Sequence, residues 1–135
     1  METHYDDCRN VVVIGRPIEV PLLKEEYDAI QEITGNRFGE FYEEDNKGRV
    51  RIKDSHVTYL DGSRLELAAL PESIGNLSGL ENLYLCENRL VNLPESIGNL
   101  KRLDSLWLGG NPRELYHNSA ELIRGLADKG VGIFS

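Results

Sequence analysis

The chain has 135 residues, 40% hydrophobic and 28% charged, the length and composition of about one globular domain and not of a disordered segment. Its formal net charge is −8, with acids outnumbering bases on both sides of His56, which makes nucleic acid and anionic membrane poor partners. No apolar run approaches the ~20 residues of a membrane span, and two cysteines are too few for a disulfide framework.

Met1 to Asn10 is polar and lacks the apolar core of a signal peptide, so a flexible start over 1–8 and a cytoplasmic protein with reduced thiols are expected. His4, Asp7 and Cys8 have the chemistry of metal ligands, but a structural zinc site needs about four; neither metal nor cofactor is expected. Val11 to Ile14 is a β-branched strand candidate. Leu23, Tyr27 and Ile30 have the spacing of an amphipathic helix that should start near Pro21 and stop by Gly35. Glu43, Glu44 and Asp45 read as a charged turn without the ligand spacing of a calcium loop. Val50 and Ile52 alternate with Arg49, Arg51 and Lys53 and lead through Asp54-Ser55 into His56, which predicts a hairpin. Its basic face reads as a solvated one that blunts a sheet edge; gripping an acidic partner is the other use of those cations.

The octapeptide Leu-Pro-Glu-Ser-Ile-Gly-Asn-Leu then occurs twice, at 70–77 and 93–100, 23 residues apart. A fixed period of this size marks a stack of similar units. From Leu80 the apolar residues fall at Leu83, Leu85, Leu90, Leu93, Ile97 and Leu100, with Asn88 between. The next unit keeps Leu103, Leu106, Leu108 and Asn111 before Pro112 and Arg113 break it. The preceding unit keeps Val57, Leu60, Leu67, Leu70, Ile74 and Leu77, with Gly62 in place of an inward leucine and Leu65 in place of the turn asparagine.

This pattern resembles the leucine-rich repeat L-x-x-L-x-L-x-x-N-x-L, in the form that continues x-x-L-P-x-x-I-x-x-L. The resemblance covers residues 57–111 and implies short strands stacked in parallel along the inner wall of a curve. Asn88 and Asn111, each both donor and acceptor, would then satisfy the backbone of the buried turns; contact with a ligand is the weaker reading of them. The preceding helix and hairpin are similar to the amino-terminal caps of small prokaryotic, especially archaeal, proteins of this family. The expected architecture is a short α/β solenoid of about three coils, with an α/β N-terminal cap over 9–56 and a C-terminal cap over 112–135. In that last part Asn118 and Glu121 resemble a capping box. Leu122, Ile123, Leu126 and Ala127 share a helical face, Lys129-Gly130 is a stop, and Val131 to Phe134 a last short strand.

Within each expected strand the residues beside the inward leucines face the concave surface, in columns about 4.8 Å apart. One column holds Asp61, Tyr84 and Trp107, a second Tyr59, Asn82 and Ser105, and a third Ser63, Cys86 and Gly109. Exposed Tyr and Trp are common interface anchors, so Tyr84 and Trp107 are the candidate protein-binding residues, with Tyr59, Asp61, Asn82 and Ser105 around them. Gly109 and Gly110 would leave a docking hollow beside Trp107. The competing readings are that the rings only stabilise neighbouring strands, or that a terminal loop covers them. Cys86 as a nucleophile would need a base, and no histidine falls in a neighbouring column.

The expected function is non-catalytic recognition of a protein or peptide by a monomer. The resemblance to repeats that act as scaffolds or regulators around Ras-like GTPases implies a partner class by analogy. Two rivals are an enzyme with its site in 9–56, using Glu40, Glu43 or Asp45, and a structural protein that self-assembles through open ends of the stack.

Overall fold

The computed structural model describes residues 3–6, 11–14, 20–43 and 48–135, with side chains for 21–43 and 48–135. β1 (Thr3–Asp6), β2 (Val11–Ile14) and β3 (Val20–Leu23) form an antiparallel sheet in chain order. Two expectations are corrected here. Part of the start expected to be flexible, Thr3–Asp6, pairs with β2: Thr and Tyr favour strands, and the Val-rich β2 offers them an edge. Pro21 does not open a helix but lies in β3 opposite Val13, on an outer strand, where a missing N–H is tolerated.

Helix α1 (Lys24–Thr34) therefore begins three residues later than expected, and it ends as expected on Gly35, whose φ of 66° is left-handed. Its inner face buries Ala29, Ile30 and Ile33. A short helix α2 (Phe38–Phe41), not foreseen from the sequence, turns Phe38 back against Tyr27, with ring centroids 5.0 Å apart.

β4 (Val50–Lys53) and β5 (His56–Asp61) form the expected hairpin, and Asp54 and Ser55 in its turn both have positive φ. β5 then pairs in parallel with β6 (Asn82–Tyr84), β6 with β7 (Ser105–Trp107), and β7 with β8 (Gly132–Phe134). The register sets Leu60, Leu83, Leu106 and Ile133 side by side. Side chains alternate along each strand: Leu60, Leu83 and Leu106 have no exposed surface, while their flanking residues face the opposite side.

Away from the strands the chain returns through two 3₁₀ turns, Glu72–Asn76 and Glu95–Asn99, entered by Pro71 and Pro94 in extended conformation. Ile74, Leu77, Ile97 and Leu100 point back into the core. The two turns stack closely: a Cβ on Gly75 would lie 2.6 Å from the Ser96 Cβ and 3.0 Å from its carbonyl oxygen. Gly75→Ala is therefore expected to lower stability by about 1–3 kcal/mol through overpacking. Gly98→Ala, whose Cβ would meet Leu122 at 3.5 Å, should be nearly neutral. Urea unfolding of both variants checks the contrast.

The asparagines sit where the turns need them. Asn88 is buried; its Nδ2 donates to the carbonyls of Gly62 and Leu85 at 2.9 and 3.1 Å, and its Oδ1 accepts from Leu65 and Leu67 N–H, both at 3.0 Å. Asn111 donates to Leu85 and Leu108 carbonyls at 2.8 and 2.7 Å and accepts from Leu90 N–H at 3.1 Å. The irregular first unit is accommodated by its neighbour: Asn88 serves the turn that lacks its own asparagine, and Leu85 Cδ2 lies within 3.3 Å of where a Cβ on Gly62 would stand.

Beyond Asn111 come α3 (Glu114–Asn118) and α4 (Ala120–Asp128). Asn118 and Glu121 do not form the expected capping box. The residue before α4 is Ser119, with no side-chain cap. Asn118 Nδ2 instead donates to the Val91 carbonyl at 2.9 Å, and Ser119 Oγ accepts from Leu93 N–H at 2.9 Å. Closing the last repeat's backbone outweighs capping, because the Leu93 amide would otherwise be buried without a partner.

Candidate concave interface

Three strands and one hairpin position the candidate residues on one face. The parallel register places Asp61, Tyr84, Trp107 and Phe134 in one column and Tyr59, Asn82, Ser105 and Gly132 in the next. Ring centroids are 5.2 Å apart for Tyr59–Tyr84, 5.3 Å for Tyr84–Trp107 and 4.0 Å for Trp107–Phe134. The last two pairs are stacked nearly parallel, with interplanar angles of 10° and 15°. The faces these rings turn to one another are thus spent, each pair adding ~0.5–1.5 kcal/mol beyond area burial. Tyr59, Tyr84 and Trp107 are all half-buried.

The polar residues are tied into this ladder. Trp107 Nε1 donates to Ser105 Oγ at 3.3 Å, and Ser105 Oγ donates to Asn82 Oδ1 at 2.6 Å. Asp61 Oδ1 accepts from Ser63 N–H at 3.0 Å, and its other oxygen lies 3.9 Å from Arg49 Nε. Burial and then the neighbouring Tyr84 hold the Tyr59 phenol above its ordinary range, so it is protonated at neutral pH. Beside Asp61, a hollow of about 390 Å³ is lined by Arg49, Asp61, Ser63, Arg64, Cys86 and Glu87. Arg64 pairs with Glu87 at 2.9 Å across neighbouring repeat units.

Two members of the face are missing from the sequence reading. Phe134 extends the aromatic column by a fourth ring, and the signal for it was present: Asn-Leu-Tyr, Ser-Leu-Trp and Gly-Ile-Phe share a polar-or-small, aliphatic, aromatic order. Arg51 is the other. Instead of standing free on a solvated strand face, its guanidinium lies 3.9 Å from the Tyr59 ring centroid, and Arg49 lies 4.5 Å from that of Phe41. The expected hollow at Gly109 and Gly110 is also corrected. A Cβ on Gly109 would be 3.2 Å from the Ser135 backbone and one on Gly110 2.8 Å from Glu87, so both glycines permit close packing.

Other candidates fall elsewhere. The side chains of His4, Asp7, Cys8, Glu44 and Asp45 lie outside the described residues. Glu40 and Glu43 are exposed, Glu40 lying 3.9 Å from Arg37. Among the described residues no three His, Cys, Asp or Glu side chains are grouped to hold a metal. Cys86 is a free, half-buried cysteine whose N–H donates to Ser63 Oγ. The sequence also gave no hint that Glu26, buried in α1, accepts Val57 N–H at 2.8 Å and shares a 2.6 Å hydrogen bond with His56 Nδ1. No helix among the described residues is long and apolar enough to cross a membrane.

These features define a mixed α/β fold whose parallel sheet grows by one short strand per repeating unit. A solved leucine-rich repeat protein of Leptospira interrogans is similar to this chain, with 36% identity, a TM-score of 0.51 and a match over 58% of the present sequence. The chain has a leucine-rich-repeat-like fold. It spans only 19% of the Leptospira protein's length. No family model and no curated protein sequence matches the chain.

Proposed function

We propose that this chain is a non-catalytic protein-recognition module. In this reading it is a short solenoid of about three coils of the 23-residue leucine-rich type, flanked by an α/β N-terminal cap and a helical C-terminal cap. It works in the cytoplasm as a monomer and binds a protein or peptide on its concave face. Tyr84 and Trp107 are the anchors, and Tyr59, Asp61, Asn82 and Ser105 surround them.

The observation that carries the reading is the aromatic ladder. Rings from successive units line up on one face, half-buried, with the Trp107 N–H held by Ser105 and Ser105 by Asn82. Such a surface is rigid before binding, so little side-chain entropy is lost on contact. A face three coils wide is small, which favours a peptide or a modest protein contact over an enveloping grip. Ras-like GTPases are the partner class that the repeat type suggests, by resemblance alone.

Affinity capture from native lysate, comparing wild type with Tyr84→Ala/Trp107→Ala, tests this. Circular dichroism first establishes that the double variant is folded. The expected result is a partner retained by wild type and lost by the variant. The same partners on both proteins would reduce the ladder to sheet packing and overturn the assignment.

A further inference from the structure

Among the described residues the aromatic ladder is closed at one end and open at the other. At the closed end β4 pairs with β5, Arg51 stands opposite Tyr59, and its guanidinium lies 3.9 Å from the ring centroid. At the far end Phe134 lays one face on Trp107, with centroids 4.0 Å apart, and is 42% exposed, more than any other large hydrophobic side chain among the described residues. Among the described residues β8 is the outermost strand of its sheet. Gly132 N–H donates to the Asp104 carbonyl and the Phe134 carbonyl accepts from Leu108 N–H, both towards β7. Successive residues of a strand direct their polar groups to opposite edges, so the N–H and C=O of Ile133 face the outer edge.

Such an edge is a template for strand addition unless charge or proline blunts it. Gly132, Ile133 and Phe134 carry neither. The chain's net charge of −8 selects for a basic partner segment over an acidic one. The closed end supplies the model for the contact: an antiparallel outer strand that places a planar cation on the terminal ring.

We propose that the outer edge of β8 receives an extended, arginine-bearing segment of a partner protein, which adds as a sixth strand and lays its guanidinium on the open face of Phe134. The inference deepens the concave-face reading and rests on it for the identity of the face. Arginine is favoured over lysine because its flat guanidinium stacks on a ring while its N–H groups stay solvated.

Trp107 is the one tryptophan of the chain and touches Phe134, so its fluorescence reports on this edge without a label. The probe is the blocked pentapeptide Thr-Val-Arg-Val-Thr. It is compared with a version carrying citrulline for arginine and one N-methylated at both valines, the residues flanking the arginine, one of which must pair with Ile133. The arginine peptide should shift Trp107 emission saturably. Citrulline should weaken binding about five- to thirtyfold, the range of a partly desolvated cation–π contact, and N-methylation should abolish it. Phe134→Leu, at an exposed position, should reproduce the citrulline loss with an unchanged circular dichroism spectrum.

Equal binding of the arginine and citrulline peptides, binding of the N-methylated peptide, or no emission change with any peptide would each overturn the proposal. So would growth in size with concentration on gel filtration of the protein alone, which would give the edge to a second copy. In the capture experiment, a partner lost by Tyr84→Ala/Trp107→Ala and kept by Phe134→Leu overturns the edge inference and leaves the concave-face reading standing.

Discussion

Asn88→Leu should lower the unfolding free energy by about 4 kcal/mol, the largest effect expected of any single substitution in the repeat. Three backbone groups lose a partner at once: the Leu65 and Leu67 N–H groups and the Gly62 carbonyl. Each buried orphan costs ~1–3 kcal/mol, and leucine has the bulk to displace the turn as well. The first unit has no asparagine of its own to compensate, since Leu65 occupies that position. Asn111→Leu should cost less, about 1–2 kcal/mol. Asn111 is only half-buried, Leu85's carbonyl keeps Asn88, and Leu108's carbonyl keeps the Tyr116 hydroxyl at 3.2 Å. Urea unfolding of the two variants measures the difference; equal losses would refute the claim that the first unit borrows its asparagine.

The second large effect is expected at Glu26. This fully buried carboxyl ties α1 to the first strand of the parallel stack through Val57 N–H and His56 Nδ1. Glu26→Ala removes both acceptors and opens a cavity, which should cost about 3 kcal/mol. Glu26→Gln keeps an acceptor for Val57 and should cost far less. The pH dependence has a definite sign. Burial raises the Glu26 pKa above its ordinary 4.5, outweighing the lowering by the Val57 and His56 hydrogen bonds. A raised carboxyl binds its proton more tightly in the folded chain than in the unfolded one. Its contribution is therefore fully present below about pH 4.5 and is lost as the pH rises through the higher folded value. Wild type should gain stability relative to Glu26→Gln as the pH is lowered from 8 towards ~5. Denaturant midpoints at several pH values check this, and the opposite trend would mean that the His56 contact dominates the site.

The repeats were legible because their signals are local and duplicated. Leu83 and Leu85, or Leu106 and Leu108, state the strand period within three residues, and Asn88 and Asn111 fall at the same offset. The columns followed from the same period, and the register of Tyr59, Asn82 and Ser105 bears them out. What the sequence hid depends on distance along the chain. The Glu26–His56 contact joins residues 30 apart, and Ser119 reaches back 26 residues to Leu93. Nothing in the neighbourhood of either residue announces such a contact. Pro21 misled for a different reason: proline opens helices and tolerates outer strands equally well, and only the pairing with Val13 decides between them. Arg51 was read by its charge, whereas its position opposite Tyr59 makes its flat guanidinium the part that matters.

The asparagine ladder has a direction. Asn88 closes the turn of the unit before it, Asn111 that of the next, and Ser119 and Asn118 finish the backbone at Leu93 and Val91. The buried turn of each of these two units is closed by side chains made after it. A chain emerging from the ribosome must then hold each of these units with open polar groups until about one more coil has been synthesised. Order is consolidated from the later residues towards the earlier ones, and removing residues from the C-terminal side would loosen coils that have lost none of their own sequence.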